Sequence, residues 1–377
     1  MNDHTVMIGI PCLKTGGTEI QTLRLAEALV AGGYLCITVC YFEYDYPAVQ
    51  QFKDAGCEVV CLSAYGKRPE SRRDTYKFLK SGLKRVVQKH NPDIAHIQYM
   101  APGAMPIIVL RRLGVKTILA TTHTNADIYS SLKLIHFLQR HILRAFTCVT
   151  ETAERSFFGS SNLFDKEYKL DKHNHFTIPD CLAPNTEFGR SQQQGKPFVI
   201  GFVAQLKAIK GADYVMPAFA KVLELHPDCR LMIVGDGDMR ELMERQMHEL
   251  NIPKESVIWH GYVEHRKLQS LYGSMSVVWV PSRSEGFGLS AIEAMAHGCA
   301  IVASNTGGLT EIVHDGADGM LIKTGDINEL ASKTVSLIND TQLYKSISDK
   351  SVENARHYSF ETYKERILAL YSVISES

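Results

Sequence analysis

Two carboxylates with seven residues between them, Glu285 and Glu293, frame a glycine-rich turn inside residues 281–313. The lead-in Val277-Val278-Trp279-Val280 has the β-branched and aromatic content of a buried strand. Residues 282–288 supply loop chemistry. From Leu289 the apolar positions Leu289, Ile292, Met295 and Ala296 then recur at helical spacing until Gly298 offers a left-handed stop. Strand, glycine loop and helix in this order aim free backbone N–H groups and a positive helix end at an anion. Acids beside a phosphate repel it, so the two carboxylates suit neutral hydroxyls on either side of it, the layout of a nucleotide sugar. Spacing alone equally allows a plain helix whose Glu285 complements the dipole and whose Glu293 is solvated.

Other positions carry weaker signals. His123 follows Leu119-Ala120-Thr121-Thr122, where a strand should end; a lone histidine there is either a structural hydrogen-bonder or a site residue. Gly16-Gly17 follows the first strand, and tight turns explain most such pairs. Lys207 and Lys210-Gly211 lie on an arm between a strand and the helix from Asp213. Asp236-Gly237-Asp238, between a strand and a helix, reads as a glycine turn rather than a metal-binding carboxylate pair, and no catalytic metal is expected. Cys36/Cys40 and Cys57/Cys61 form i, i+4 pairs on two neighbouring strands, to be read as a metal cluster or as ordinary core thiols.

The elements that must position these residues alternate. Strands are expected at 6–10, 35–42, 58–63, 94–98, 116–123 and 176–178, with helical patterns between them, which predicts a parallel sheet covered by helices on both faces. Ligands of such sheets bind outside the carboxyl ends of the strands. A second lobe restarts at Phe198-Val199-Ile200-Gly201-Phe202-Val203 after a polar stretch at 185–197. This predicts a first domain of 1–185 joined by a terminal helix within 358–377, and a second domain of 196–357. That last helix shows Tyr363, Ile367, Leu370, Tyr371 and Ile374 on one face.

A chain of 377 residues is long for one core, which agrees with two domains. Lys+Arg and Asp+Glu both number 41, which argues against a nucleic-acid partner. The balance hides an asymmetry: residues 1–195 hold 23 Lys/Arg and 18 Asp/Glu, so the basic half is the one to face an anionic partner. Residues 71–90 form a basic amphipathic helix, either a solvated outer helix or a contact with anionic lipid headgroups, and 132–146 reads as a second basic amphipathic segment. The nine cysteines, several within apolar runs, and the lack of a secretory pattern before the first strand point to a reducing cytoplasm. No apolar run reaches the ~18 residues of a membrane span, so membrane contact would be peripheral. No Gly-x-Gly-x-x-Gly follows the first strand, which disfavours a dinucleotide oxidoreductase.

Glu285-Gly286-Phe287-Gly288 through Glu293-Ala294, then Gly298, Gly307-Gly308 and Glu311, resembles the donor-site signature of the retaining glycosyltransferases of family four. The resemblance covers nearly the whole chain and is strongest from about Phe198 onward. It implies the GT-B fold: two facing Rossmann-like α/β domains, parallel sheets flanked by helices, and a C-terminal helix that crosses back to the first domain. It also implies roles. Glu285 would contact donor-sugar hydroxyls, Glu293 the nucleotide ribose, and the backbone of Gly286, Phe287, Gly288 and Leu289 the diphosphate. Gly16 and Gly17 match a glycine pair near the donor, His123 a histidine near the transferring sugar, and His96 a supporting histidine. Gln205 departs from the pattern, since the family usually has arginine there, five residues before the lysine matched by Lys210. The chain then either uses Lys207, which points to the same side if the strand runs that far, or makes do with one charge.

The resemblance thus implies a metal-independent, retaining transferase that moves a sugar from a nucleotide-diphosphate donor to a carbohydrate or lipid-linked acceptor, in polysaccharide or glycolipid assembly, with no cofactor. The rival readings are a GT-B epimerase or phosphorylase, and a catalytically weak nucleotide-sugar-binding module.

Overall fold

The computed structural model describes residues 4–14, 16–64, 67–98, 104–165, 174–189 and 197–375. Part of the 185–197 stretch lies outside them. The chain divides into two compact units, residues 1–184 with 360–377, and residues 185–359.

The first unit alternates β1 (Thr5–Ile10), α1 (Gly17–Ala31), β2 (Leu35–Cys40), α2 (Tyr46–Asp54), β3 (Glu58–Cys61), α3 (Arg72–His90) and β4 (Ile94–Gln98). It continues through α4 (Met105–Arg112), β5 (Thr117–Thr122), α5 (Leu132–His141), β6 (Ala145–Cys148), α6 (Glu151–Phe158) and β7 (His175–Thr177). The strands form one parallel sheet in the order β3-β2-β1-β4-β5-β6-β7. Being covered on both faces, they are apolar almost throughout, as β1 (TVMIGI) and β2 (LCITVC) illustrate. Helices α3, α4, α5 and α6 share one core cluster, through residues such as Leu83, Leu110, Leu138 and Phe157. Helices α1 and α2 share the other.

The second unit runs β8 (Val199–Val203), α7 (Ala212–Leu225), β9 (Arg230–Val234), α8 (Arg240–Glu249), β10 (Val257–Gly261), α9 (His265–Tyr272) and β11 (Val277–Val280). Then come α10 (Leu289–Ala296), β12 (Ala300–Ser304), α11 (Leu309–Ile312), β13 (Met320–Ile322), α12 (Ile327–Asn339) and α13 (Thr341–Ala355). Its parallel sheet has the order β10-β9-β8-β11-β12-β13. The last helix, α14 (Phe360–Ser375), belongs to the first unit. There it packs on α1, with Tyr371 edge-on to Tyr34 at 5.4 Å.

Two expectations need correction. The 132–146 segment is not one amphipathic element: α5 ends at His141, and Ala145-Phe146-Thr147-Cys148 is a fully buried strand between β5 and β7. The strand expected at 35–42 ends at Cys40 and the one expected at 58–63 ends at Cys61. The cysteines are neighbours across the strands rather than along them: Cys40 stands opposite Cys61 in the sheet register and Cys36 lies beside Cys57, while the Cys40 thiol donates to the Glu43 carbonyl at 3.3 Å. Among the described residues no group of three or more His, Cys, Asp or Glu is arranged to hold a metal ion.

Candidate donor site

Strand order brings the candidate residues of the second unit together. The chain switches direction across its sheet between β8 and β11, which are neighbours although a βαβ unit and more separates them in sequence. A crevice outside the carboxyl ends of the strands at such a switch point is where open α/β sheets bind ligands. The arm after β8 carries Lys210, and the loop after β11 carries Glu285.

There Lys210 Nζ lies 2.8 Å from both Glu285 carboxylate oxygens, and Ser282 Oγ donates to Oε2 at 2.9 Å. The pair is partly buried, with side-chain exposures of 30% and 12%. Gly288, at φ 116°, ends the loop in a conformation closed to most side chains and caps α10. The glycine pair noted in sequence has a different task. A Cβ on Gly307 would stand 2.1 Å from the Glu285 carbonyl oxygen, and one on Gly308 2.6 Å from that of Phe287, so both let the backbone pack directly against the Glu285 loop. A cavity of about 60 Å³ beside Lys210 and Glu285 is lined further by Ser282, Ser290 and Trp279. It is far smaller than the ~300–1,000 Å³ of a small-molecule pocket, so it marks a convergence of side chains rather than a seat for a whole nucleotide.

Glu293, about one turn into α10, has both oxygens engaged. His265 Nε2 lies 2.6 Å from Oε1, and Tyr272 donates to Oε2 at 2.9 Å. Both partners come from α9. Burial and then the Glu293 charge hold the Tyr272 hydroxyl well above its ordinary value, so it remains a donor. A carboxylate has about four lone-pair directions, which leaves Glu293 capacity for further hydrogen-bond donors.

On the arm that carries Lys207 and Lys210, β8 stops at Val203, so the strand does not extend to Lys207. Leu206 is buried, with Gln205 and Lys207 exposed on either side, and Lys207 N–H donates back to the Gln205 carbonyl at 2.8 Å. The arm lies on the turn after β9: Leu206 N–H donates to Asp236 O at 3.0 Å and Met239 N–H to Leu206 O at 2.9 Å. A Cβ on Gly235 would stand 1.8 Å from the Ala204 carbonyl oxygen, and one on Gly237 2.4 Å from that of Leu206. Asp236-Gly237-Asp238 is therefore a turn whose glycines admit the arm.

The first unit carries the remaining candidates. His123 sits one residue past β5, buried, with Nε2 3.0 Å from Gln98 Oε1 and Nδ1 3.7 Å from Asp180 Oδ1. Burial pushes the Asp180 carboxyl up, while the neighbouring His123 pulls it down. His96 bridges Tyr371 of α14 (2.9 Å) and Thr121 (2.6 Å), and burial lowers its pKa to about 3, so it is neutral. Gly16 precedes α1 with φ −165°, an extended conformation that any residue adopts; a Cβ there would meet only the Glu19 side chain. Gly17 is the first residue of α1 and is exposed. Sequence reasoning missed Ser282, His265, Tyr272 and Arg283. Only Ser282 and Arg283, inside the Glu285 loop, had a signal within reach.

Two family models match the chain. "Glycosyl transferase 4-like domain" covers residues 16–156 and "Glycosyl transferases group 1" covers 185–356. An uncharacterized glycosyltransferase of Haemophilus influenzae is 27% identical over 92% of this chain and 94% of its own. The N-acetyl-alpha-D-glucosaminyl L-malate synthase of Bacillus anthracis is 24% identical over 78% of this chain and 77% of its own. Among solved structures, a glycosyltransferase from Rickettsia africae superposes with a TM-score of 0.80 at 18% identity over the full length of both chains. Anabaena HepE in complex with UDP-glucose superposes with a TM-score of 0.78 at 18% identity, over 98% of this chain and 99% of its own. With one family model on each unit and a relative of the same description along almost its whole length, the chain belongs to the GT-B glycosyltransferases of the family-four-like type.

Proposed function

We propose that the enzyme moves a sugar from a nucleotide-diphosphate donor to a hydroxyl of a carbohydrate or lipid-linked acceptor, with retention of anomeric configuration, in polysaccharide or glycolipid assembly. The observation that carries this reading is the Lys210–Glu285 contact at the N-terminal end of α10. It puts a cation, a carboxylate and free helix N–H groups at one switch point. When the bond between the anomeric carbon and the diphosphate breaks, negative charge develops on the leaving phosphate oxygen. Lys210 and the Gly288–Leu289 backbone stabilise it as a preorganised electrostatic site, without a metal. The acceptor oxygen bonds to the anomeric carbon from the same face, and its proton passes to the leaving phosphate oxygen. Glu285 orients the sugar, Glu293 holds the ribose, and Gly286 and Phe287 lie against the diphosphate. His123 contacts the sugar, with Gly16 and Gly17 beside donor and acceptor.

A thermal-shift screen over UDP-, GDP- and ADP-sugars tests the donor class, because a ligand at 100 times its Kd stabilises by about 2.7 kcal/mol. The HepE complex makes UDP-sugars the first to try. Transfer to an added hydroxyl acceptor, in the presence of a chelator, then separates this reading from an epimerase, a phosphorylase and a binding module.

We also propose that the acceptor is met at an anionic membrane surface on the cytoplasmic side. Helices α3, α4 and α5 lie on the same face of the first sheet, and residues 71–144 hold 13 Lys/Arg against three Asp/Glu. Around α5 the apolar side chains Ile128, Leu134 and Phe137 are exposed beside Lys133 and Arg140. Cations ringing exposed apolar residues support a peripheral contact. Among the described residues no helix is long and apolar enough to cross a membrane.

A further inference from the structure

Arg283, two residues before Glu285, gathers the whole Lys210 arm. Its backbone N–H donates to Ile209 O at 2.8 Å, and its Nη1 donates to the Ala208 carbonyl. The guanidinium forks onto Asp213 at 2.7 and 2.6 Å, and stacks 4.1 Å over the Tyr214 ring. Ala208 and Ile209 belong to the short turn that ends in Lys210, while Asp213 and Tyr214 open α7 just beyond it. Gly211 completes the clamp: at φ 72° its missing Cβ would stand 2.1 Å from the Pro281 carbonyl oxygen, so the arm and the Glu285 loop touch backbone to backbone. Burial pushes the Asp213 carboxyl up, but the Arg283 hydrogen bonds, a backbone N–H and the Arg283 charge together pull it below its ordinary value, so the fork stays ionised.

We propose that Arg283 is a positioning residue for catalysis, fixing Lys210 at the leaving phosphate by clamping both ends of its arm to the Glu285 loop. The inference rests on the donor-site reading above and deepens it. Its own charge is committed to Asp213, so Arg283 is not a second phosphate cation in place of the arginine missing at Gln205. Lysine cannot replace it, because an ammonium lacks the planar fork that spans a carboxylate and a carbonyl while lying flat on a ring. With a single cation held at Glu285, an ångström of play in the arm costs rate more than it costs binding.

Four enzymes test this: the native enzyme, Lys210→Ala, Arg283→Lys and the double variant, each assayed for kcat and donor KM, with melting temperature as the control. Arg283→Lys should lower kcat about tenfold or more and change donor KM less than about threefold. Lys210→Ala should cost about 30-fold or more in the native background, but only a few-fold once Arg283 is lysine, since both act through one geometry. Multiplying losses, or an unchanged kcat for Arg283→Lys, would overturn the proposal while leaving the donor site standing. An inert Lys210→Ala would instead remove the donor-site reading and the proposal with it. If Arg283→Lys does not fold, Asp213→Asn, which keeps the shape and deletes the charge of the fork's partner, must show the same non-additivity.

Discussion

Lys210 Nζ is equidistant, at 2.8 Å, from the two carboxylate oxygens of Glu285, a residue 75 positions further along the chain. The cation proposed to face a phosphate is thus shared with a carboxylate that is itself nearly buried. Removing Lys210 alone leaves the Glu285 carboxylate with Ser282 as a neutral donor and, in the proposed placement, takes away the cation that shields the donor phosphates from it.

Lys210→Ala should therefore raise the transfer barrier by roughly 2–4 kcal/mol, the range for one preorganised charge-stabilising group. It should also weaken nucleoside diphosphate binding more than Lys210→Ala combined with Glu285→Ala, because the second change relieves the repulsion. Titration calorimetry on both variants checks the order. A double variant that binds no better than the single one would mean that the unshielded Glu285 charge is not felt at the phosphates.

Lys207 and Gln205 are both exposed on the arm. Lys207→Ala should cost about 1 kcal/mol or less in nucleoside diphosphate affinity, the scale of an exposed ionic contact, and less still for the monophosphate. Identical losses for the two nucleotides would show that Lys207 does not reach the second phosphate.

Cosedimentation with phosphatidylglycerol vesicles should exceed that with phosphatidylcholine and weaken as salt rises. Neutralising Lys77, Lys80, Lys84 and Arg85 together should abolish the difference. Binding that ignores lipid charge would count against the membrane contact.

Buried His96 makes stability depend on pH. Its pKa in the fold, about 3, lies below its unfolded value near 6.5, so the unfolded chain binds the extra proton between these limits. Stability from this group is complete above pH 6.5 and falls by up to about 1.4 kcal/mol per unit as pH drops toward 3. Denaturant unfolding at pH 7 and 5 should show a smaller pH difference in His96→Gln than in the native enzyme. Equal differences in the two proteins would place the proton uptake elsewhere.

The strand, loop and helix around Glu285 were legible residue for residue, because Val277–Val280 is uniformly apolar and Gly288 and Gly298 punctuate the helix. Strand β6 was not, because four residues directly after a basic amphipathic helix carry no period of their own. The Lys210–Glu285 contact and the His265 and Tyr272 bonds to Glu293 were also invisible. They depend on strand order and on how α9 packs, neither of which local spacing encodes. That β8 stops short of Gln205 and Lys207 was not legible either, because the arm beyond Val203 packs on the turn at Gly235, a contact between distant segments.

The most direct test of the donor site is the calorimetric affinity of the nucleoside diphosphate for Glu293→Ala and Glu285→Ala. In the proposed donor placement Glu293 grips the ribose in ground and transition states alike, whereas Glu285 contacts the sugar and, while paired with Lys210, bears little on nucleotide affinity, so binding should separate them. Glu293→Ala should weaken the free nucleotide by about 1.5–3 kcal/mol, the scale of charge-assisted hydrogen bonds, while Glu285→Ala leaves it within about threefold. The reverse pattern, with affinity lost at Glu285 and kept at Glu293, would contradict the placement of the donor across this turn.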